Sequence, residues 1–466
     1  MLVRTRLLRK ITVVTSNFIR YDQDQQHLLP KDLSEWVEDD SLERFVSDTI
    51  DYLDEQDRLE PFYPVETEEN RGRPQFHPVM LLKVLVFAYA QGIRSSRKID
   101  RLLERDVAFR YLAANQQPDF RTISNFRKDH RQDFRHLFIE ILQLCRQAGM
   151  AQTGEVALDG RRVQGDAALD QNRTREQIED EIQTILDEAA EIDDEEDEEY
   201  GPDNRGDELP VELQTKESRL KRLREAKAKL DKKEQKQKDE QAEKIRQREE
   251  ETESGETLRG RKPKPPEDVE LDENTKANTT DPESQTMKSY DGWKQGYNGQ
   301  AMVDCDSQVI VAQAVTTDAN DTQQLDPMLE ECEDVNGETP AKLSADAGYW
   351  SETNAELEDD QTELFIATTK DWKRRKELRE TGPPRGPIPD SSGPKELMER
   401  KLRTKTGRDI YRKRSQSVEP VFGQHVNRGL DRFMLRGEDG AAAEWSLFSA
   451  THNLLKLWRT RWESAG

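Results

Sequence analysis

Residues 170–285 constrain this chain most, because a stretch so charged holds too few apolar side chains to build a core. Any globular fold must therefore be assembled from the segments on either side of it. Glu176–Glu199 reads as an acidic helix, and Asp180–Tyr200 cannot be buried at all. Leu213, Leu220, Leu223 and Leu230 form a heptad-like stripe on a second, mixed-charge helix. Gly255 to Pro266 is a linker by composition. A helical hairpin or an isolated charged helix is the plainest reading of this insertion, and a contact between two copies of the chain is the sharper one.

The flanking segments do carry core material, as in Val79–Ala90 and Val309–Val315. A chain of 466 residues should hold two or three domains. Residues 1–70 read as a lead-in, with Leu42, Phe45, Val46, Ile50 and Leu53 at helical spacing behind Asp40–Ser41. Residues 71–150 read as a helical module of DNA-binding type. Pro78 opens a helix over Val79–Gln91, Gly92 ends it, and a second helix runs from Ser95 or Ser96 to about Glu104. Pro118–Asp119 then starts one long helix carrying Ile123, Phe126, Phe134, Phe138, Ile141, Leu142 and Cys145.

From Glu155 the apolar period shortens, and Glu155–Val163 is a strand with Asp159 at its heart. After the insertion, structure resumes near Tyr297. Gly299–Cys305 and Gln308–Val315 form a hairpin, and Thr322–Cys332 a helix capped near Asp321. Lys342–Asp346 and Leu364–Ala367 are short strands, 380–400 is a loop, and 416–427 and 440–458 are helical. The expected fold class is α/β: one domain over 151–169 and 286–458, split by the helical insertion and preceded by all-α segments.

Charge is unevenly divided. Residues 71–150 carry 15 basic and 7 acidic side chains, and 401–466 carry 13 and 7, whereas 301–360 carries 1 and 16. Two basic modules thus flank acidic ones within a net charge of −24. Cys145, Cys305 and Cys332 lie far apart, which excludes a CxxC zinc site and fits a reducing cytoplasm. No apolar run of 18 residues predicts a membrane span. Met1–Val14 is basic and apolar, but Arg4, Arg6, Arg9 and Lys10 interrupt it and no cleavage site follows. It reads as a frayed leader or an early start.

An acid emerging from an apolar strand must be paired, liganded or at a strand end. Asp159 follows Val156-Ala157-Leu158 and precedes Gly160. Asp346 follows Lys342–Ala345 and precedes Ala347-Gly348. Glu419 lies among Val418, Val421 and Phe422 on a helix. Acids fixed at strand ends suit hard divalent cations, and two such ions ~4 Å apart are one solution to phosphodiester chemistry. By residue type alone, caps and salt bridges remain the commoner reading of such acids.

These segments resemble a family. Ser344–Tyr349, reading SADAGY, resembles the second-aspartate block of insertion-sequence DDE transposases. Residues 411–423, reading YRKRSQSVEPVFG, are similar to their third block, and Val156–Gly160 to their first. Further likenesses are Gly296–Gln300 (GYNGQ), Thr317–Asp321 (TDAND) and the tail 435–457. Residues 72–99 resemble the InsH-type N-terminal domain. The resemblance implies a ribonuclease-H-like core, with Asp159, Asp346 and Glu419 as catalytic and metal-binding residues for two Mg²⁺ or Mn²⁺ ions. It implies cleavage and strand transfer on double-stranded DNA at the ends of a mobile element, by a homo-oligomer.

The family commonly places a Lys or Arg one to two turns beyond the third acid. Val426 stands there instead; Arg428 is the candidate substitute, and the alternative is a weakened contact. Tyr411 and Arg414 precede Glu419, and Arg414 suits bidentate contact with phosphate. Arg94, Arg97, Lys98, Arg127 and Lys128 are candidates for reading terminal repeats, against the alternative of a solvated helix face. Trp293, between Tyr290 and Tyr297, fits base stacking or core packing equally. His452-Asn453 reads as structural, with Asn453 tying the last helix to the core.

Such an acidic surface is also what molar salt favours, because carboxylates hold water while their repulsion is screened; the alternative is that the insertion alone skews the composition. On the halophilic reading, solubility and activity should both rise as salt is raised towards the molar range. Best behaviour at low salt would end that reading.

Overall fold

The computed structural model describes residues 32–64, 74–200, 211–253, 264–289, 292–383, 386, 388 and 392–463. Met1–Val14 and Tyr290 lie outside the described residues.

The front of the chain folds into helices α1 (Leu42–Glu55), α2 (Pro78–Ala90), α3 (Ser96–Arg105), α4 (Val107–Leu112), α5 (Phe120–Asp129) and α6 (Asp133–Gln147). Ser41 and Asp119 cap α1 and α5, accepting from Arg44 N at 3.4 Å and Thr122 N at 2.7 Å. Every residue of α2 is buried, so this helix is the centre of the module rather than one of its faces. Two expectations are corrected here. The single long helix after Asp119 is two, broken at His130, whose Nδ1 meets Asp133 Oδ2 at 2.7 Å across the joint. The lead-in is not separate either: Val46, Ile50 and Leu53 of α1 are buried in the same core as α2.

Strand β1 (Glu155–Gln164) follows. The insertion then leaves through β2 (Asn172–Thr174), rises along α7 (Arg175–Tyr200), descends α8 (Val211–Glu253) and closes with β3 (Lys276–Asn278), which pairs antiparallel with β2. Ile178 of α7 is buried against Leu223, Ala226 and Leu230 of α8, with Ile182 and Ile185 beside them. Leu223 and Leu230 of the stripe anticipated on α8 are therefore covered by α7 within one chain, while the side chain of Leu213 lies outside the described residues. Arg219 to Glu181 and Lys227 to Glu179 flank that seam at 2.7 and 2.8 Å.

The remaining strands are β4 (Gln285–Ser289), β5 (Gly292–Asp304), β6 (Ile310–Thr316), β7 (Lys342–Ala345) and β8 (Glu363–Ile366). They join β1 in a six-stranded sheet of order β4-β5-β1-β7-β8, with β6 also paired to β5. β1 runs antiparallel to β5 and parallel to β7, and β7 runs parallel to β8. The return needed for parallel pairing is made by α9 (Leu325–Asn336), which Gly337 ends at φ 74°. The architecture is mixed α/β behind a helical front.

After β7 come α10 (Glu352–Ala355), α11 (Trp372–Glu380), α12 (Pro394–Arg403), α13 (Lys405–Asn427) and α14 (Glu438–Glu463). The expected loop 380–400 is thus shortened by α12, which takes Pro394 in its first turn. α13 starts earlier than its apolar pattern suggested, because Thr404 Oγ1 accepts from Gly407 N at 2.9 Å and caps a polar first half.

α14 joins the two ends of the chain by packing on α2, α6 and β6. Asn453 holds β6 through both backbone groups of Ile310 at 2.8 Å, the structural role anticipated for it. Buried Glu444 accepts from Tyr89 OH at 2.9 Å, and the Arg127 guanidinium lies 3.9 Å away. Glu444→Ala should lower unfolding stability by about 3 kcal/mol, because it strands Arg127 in the interior. Denaturant unfolding of the two proteins checks this; a loss under about 1 kcal/mol would mean the network is dispensable.

Candidate active site

The parallel register of β1 and β7 sets the site. Leu158 pairs with Ala345, the last residue of β7, so the next residue on each chain segment is an aspartate: Asp159 and Asp346. Neighbouring strands are about 4.8 Å apart, which brings these two carboxylates side by side. Asp346 Oδ1 accepts from Gly348 N at 2.6 Å, the turn that ends the strand, and Asp159 Oδ1 accepts from Gly160 N at 2.9 Å.

α13 lies against this edge of β1. Lys413 reaches Glu155 at 2.7 Å at the start of β1, and Arg414 donates to Asp159 Oδ2 at 2.7 Å. Pro420 sits inside the helix and lacks an N–H, which frees the carbonyl of Gln416. The Gln308 amide takes that carbonyl at 2.8 Å. The chain tolerates a proline beside Glu419 because the hydrogen bond it removes is replaced from a neighbouring turn.

Glu419 is exposed and lines a cavity of about 560 Å³ with Tyr411, Arg414, Lys405, Arg408 and Arg412. Among the described residues, no three His, Cys, Asp or Glu side chains stand close enough to hold a metal ion as they are. The structure therefore unites Asp159 with Asp346 and leaves Glu419 on the rim of the adjoining cavity. The donor set nonetheless fits a hard divalent cation: two adjacent carboxylates, one already carrying a guanidinium as its positive partner.

Burial pushes the Asp159 carboxyl up to about 6; Arg414 opposes that rise, while Asp346 and Asp321 add to it. Tyr349, buried behind the pair, is raised well above the usual phenol range, first by burial and then by Asp321, Asp159 and Asp346.

The other anticipated residues divide by position. Arg97, Lys98 and Lys128 are exposed on α3 and α5, with Arg101 and Arg121 also at that surface. Arg97 and Arg121 flank the Phe120 ring at 5.3 and 5.6 Å. Arg127 is instead buried, donating to Tyr89 OH at 3.1 Å, Arg94 O at 2.9 Å and Ser96 Oγ at 2.8 Å. Arg94 reaches the carbonyl of Arg432 and Asp431 and lies over Phe448, so it joins the helical front to the sheet. Arg428 turns inward to Thr451 and His452 at 3.4 Å, and burial lowers its guanidinium to about 10. As they stand, these three arginines make interior contacts rather than an outer face. Trp293 is 61 % exposed, whereas Tyr297 is buried with its hydroxyl on Asp281.

Residue reading passed over Lys405, Arg408 and Arg412, because it started α13 too late. It also passed over Asn298 and Gln300, two buried polar side chains facing one side of β5. Polar residues at alternate positions of an otherwise apolar strand were the available signal.

Between the ordinary carboxylate range and about pH 6 the folded chain holds a proton on Asp159 that the unfolded chain has released, so rising pH costs stability there. Arg414→Gln should deepen that loss, since the ionised carboxylate would have no guanidinium. Denaturant unfolding at pH 8 and pH 5 should show the larger deficit at pH 8; equal deficits would mean the pair is not coupled to this ionisation.

Two family profiles match the chain. One, described as Transposase domain (DUF772), covers residues 31–129, and the other, Transposase DDE domain, covers residues 255–454. No curated protein and no solved structure matches it. The first profile covers the helical front up to α5, and the second takes in Asp346, Glu419 and the strands that flank β1. The chain belongs to the insertion-sequence DDE transposases, metal-dependent enzymes that cleave and join DNA.

Proposed function

We propose that this transposase cuts phosphodiesters at the ends of an insertion sequence and joins them to target DNA through a freed 3′-hydroxyl. The observation that carries the reading is the pairing of Leu158 with Ala345, which sets Asp159 and Asp346 at one height on adjacent parallel strands. A sheet whose antiparallel part meets its parallel part at β1 supports a ribonuclease-H-like core. Asp159, Asp346 and Glu419 would hold two Mg²⁺ or Mn²⁺ ions. When bound, such ions supply Lewis-acid stabilisation of charge on the attacking and departing oxygens.

The side chains have separable tasks. Asp159 and Asp346 provide a rigid pair of carboxylates on the sheet. Glu419 has to approach them from the cavity rim, and the proline kink beside it gives α13 a place to bend. Arg414 neutralises Asp159. Released from Asp159, its guanidinium would face the cavity it lines with Tyr411, Lys405, Arg408 and Arg412, a basic wall suited to a DNA backbone. In the first step water attacks phosphorus and a 3′-hydroxyl leaves. In the second that hydroxyl attacks a target phosphodiester and displaces its 3′-oxygen.

Arg97, Lys98 and Lys128 on α3 and α5 form the proposed grip on the element ends. Assembly of several chains on DNA and residence in the cytoplasm complete the reading. No helix among the described residues is long and apolar enough to cross a membrane.

Asp159→Ala, Asp346→Ala and Glu419→Ala should each abolish cleavage of element-end DNA while leaving its binding intact, as gel-shift and cleavage assays with Mn²⁺ would read. Retained cleavage removes that residue from the site. Replacing Arg97 and Lys98 by Ala should weaken binding and flatten the slope of log affinity against log salt by about 2. An unchanged slope would move the DNA elsewhere on the protein.

A further inference from the structure

Asp321 lies just before α9, is 6 % exposed, and has no part in the assignments above. Its carboxylate is gripped from three sides. Oδ1 accepts from Asn298 Nδ2 at 2.7 Å and Gln300 Nε2 at 3.0 Å, and Oδ2 accepts from Arg162 at 2.7 Å. Asn298 and Gln300 belong to β5, and Arg162 to β1. Gln300 Oε1 in turn accepts from the hydroxyl of Tyr349, beyond the end of β7. One acid thus ties β5 to β1 and, through Gln300, to the turn that follows β7.

Its position explains two glycines. A Cβ on Gly160, the residue after Asp159, would stand 2.6 Å from Asp321 Oδ1 and 2.4 Å from Gln300 Nε2. A Cβ on Gly348, the residue that caps Asp346, would stand 3.1 Å from Asp321 Oδ2 and 2.8 Å from Asp346 Oδ1. The carboxylate occupies the space left by both missing side chains, directly behind the peptides that bear the two aspartates. The adjacent Thr322 adds a bond from Oγ1 to Gly348 O at 2.9 Å, and Asn354 closes the loop by donating to Thr322 O and Tyr349 O at 2.7 and 2.6 Å.

We infer that Asp321 is the positioning residue of the metal site: it braces the Asp159-Gly160 and Asp346–Gly348 peptides against one carboxylate and so fixes the spacing of the two aspartates. The inference rests on the reading of Asp159 and Asp346 as metal ligands. An asparagine is a poorer match, because each of the three groups facing Asp321 donates and an amide NH₂ would meet one of them unless a neighbouring amide turned over. Groups that orient metal ligands typically affect metal affinity by about 10- to 100-fold, and Asp321 belongs in that range.

The test uses the full chain and Mn²⁺ alone, with free ion followed by electron paramagnetic resonance. Asp321→Asn should weaken Mn²⁺ binding about tenfold or more and change the resonance of the ion that remains bound, with element-end DNA still bound. Gly348→Ala, which presses a methyl between Asp346 and Asp321 without altering any charge, should act in the same direction, and it decides the matter if Asp321→Asn does not fold. Asp159→Asn is the control for the site itself. If it removes Mn²⁺ binding while the folded Asp321 and Gly348 variants bind with wild-type affinity and spectrum, the positioning role is overturned. If Asp159→Asn binds Mn²⁺ like the wild type, the site reading fails instead.

Discussion

The pairing of β1 with β7 is the constraint on which the rest depends. It is only four residue pairs long, Glu155 with Lys342 through Leu158 with Ala345. Because side chains alternate along a strand, a slip of one residue would turn one aspartate to the opposite face while the other stayed. The register is held from both sides. Val156, Ala157 and Leu158 are buried against Leu343 and Ala345, and at the strand's start Lys342 and Lys413 converge on Glu155. Ser344 Oγ adds a bond to Val156 O at 3.2 Å. Apolar packing fixes which way the acids point, and the ion pairs fix where the strands begin.

That arrangement needs an electrostatic counterweight. Two carboxylates on adjacent strands, with Asp321 behind them, concentrate negative charge in a partly buried place. Arg414 relieves it from α13 and Arg162 from β1, one on each side of the sheet edge. Burial raises the proton affinity of Asp159, and Asp346 and Asp321 add to that rise. A site with residual negative charge in a rigid frame is attractive to a divalent cation. The Arg414 guanidinium supplies the countercharge that this frame needs.

Much of this was legible in the residues. The two aspartates stood out because each follows a short apolar run and precedes a turn glycine, and strand hydrophobicity is a local signal. The insertion was equally plain from its charge, and its stripe and a helical hairpin were legible too; the small buried cluster of Ile178 with Leu223, Ala226 and Leu230 was not. What could not be read were the consequences of distant packing. Arg94, Arg127 and Arg428 look like surface cations in one dimension, yet α14 returns from the far end of the chain and sets Phe448 against Arg94, Glu444 beside the buried Arg127 and His452 beside Arg428. Likewise, α13 begins in a polar stretch that no apolar period reveals, because its first half faces the cavity rather than the core.

The covering of those arginines bears on how DNA binding and catalysis are linked. A front module attached by a flexible tether would let DNA contacts and metal chemistry act independently. Here α14 runs against α2 and α6 on one side and β6 on the other, while Arg94 spans from the end of α2 to Asp431 and Arg432. Gly92, at φ 71°, allows this closeness: a Cβ there would stand 3.1 Å from the carbonyl oxygen of Arg428. The loop it touches follows directly from α13, the helix that carries Arg414 and Glu419. The end of α2 is thus packed against the loop that leaves the helix bearing Arg414 and Glu419.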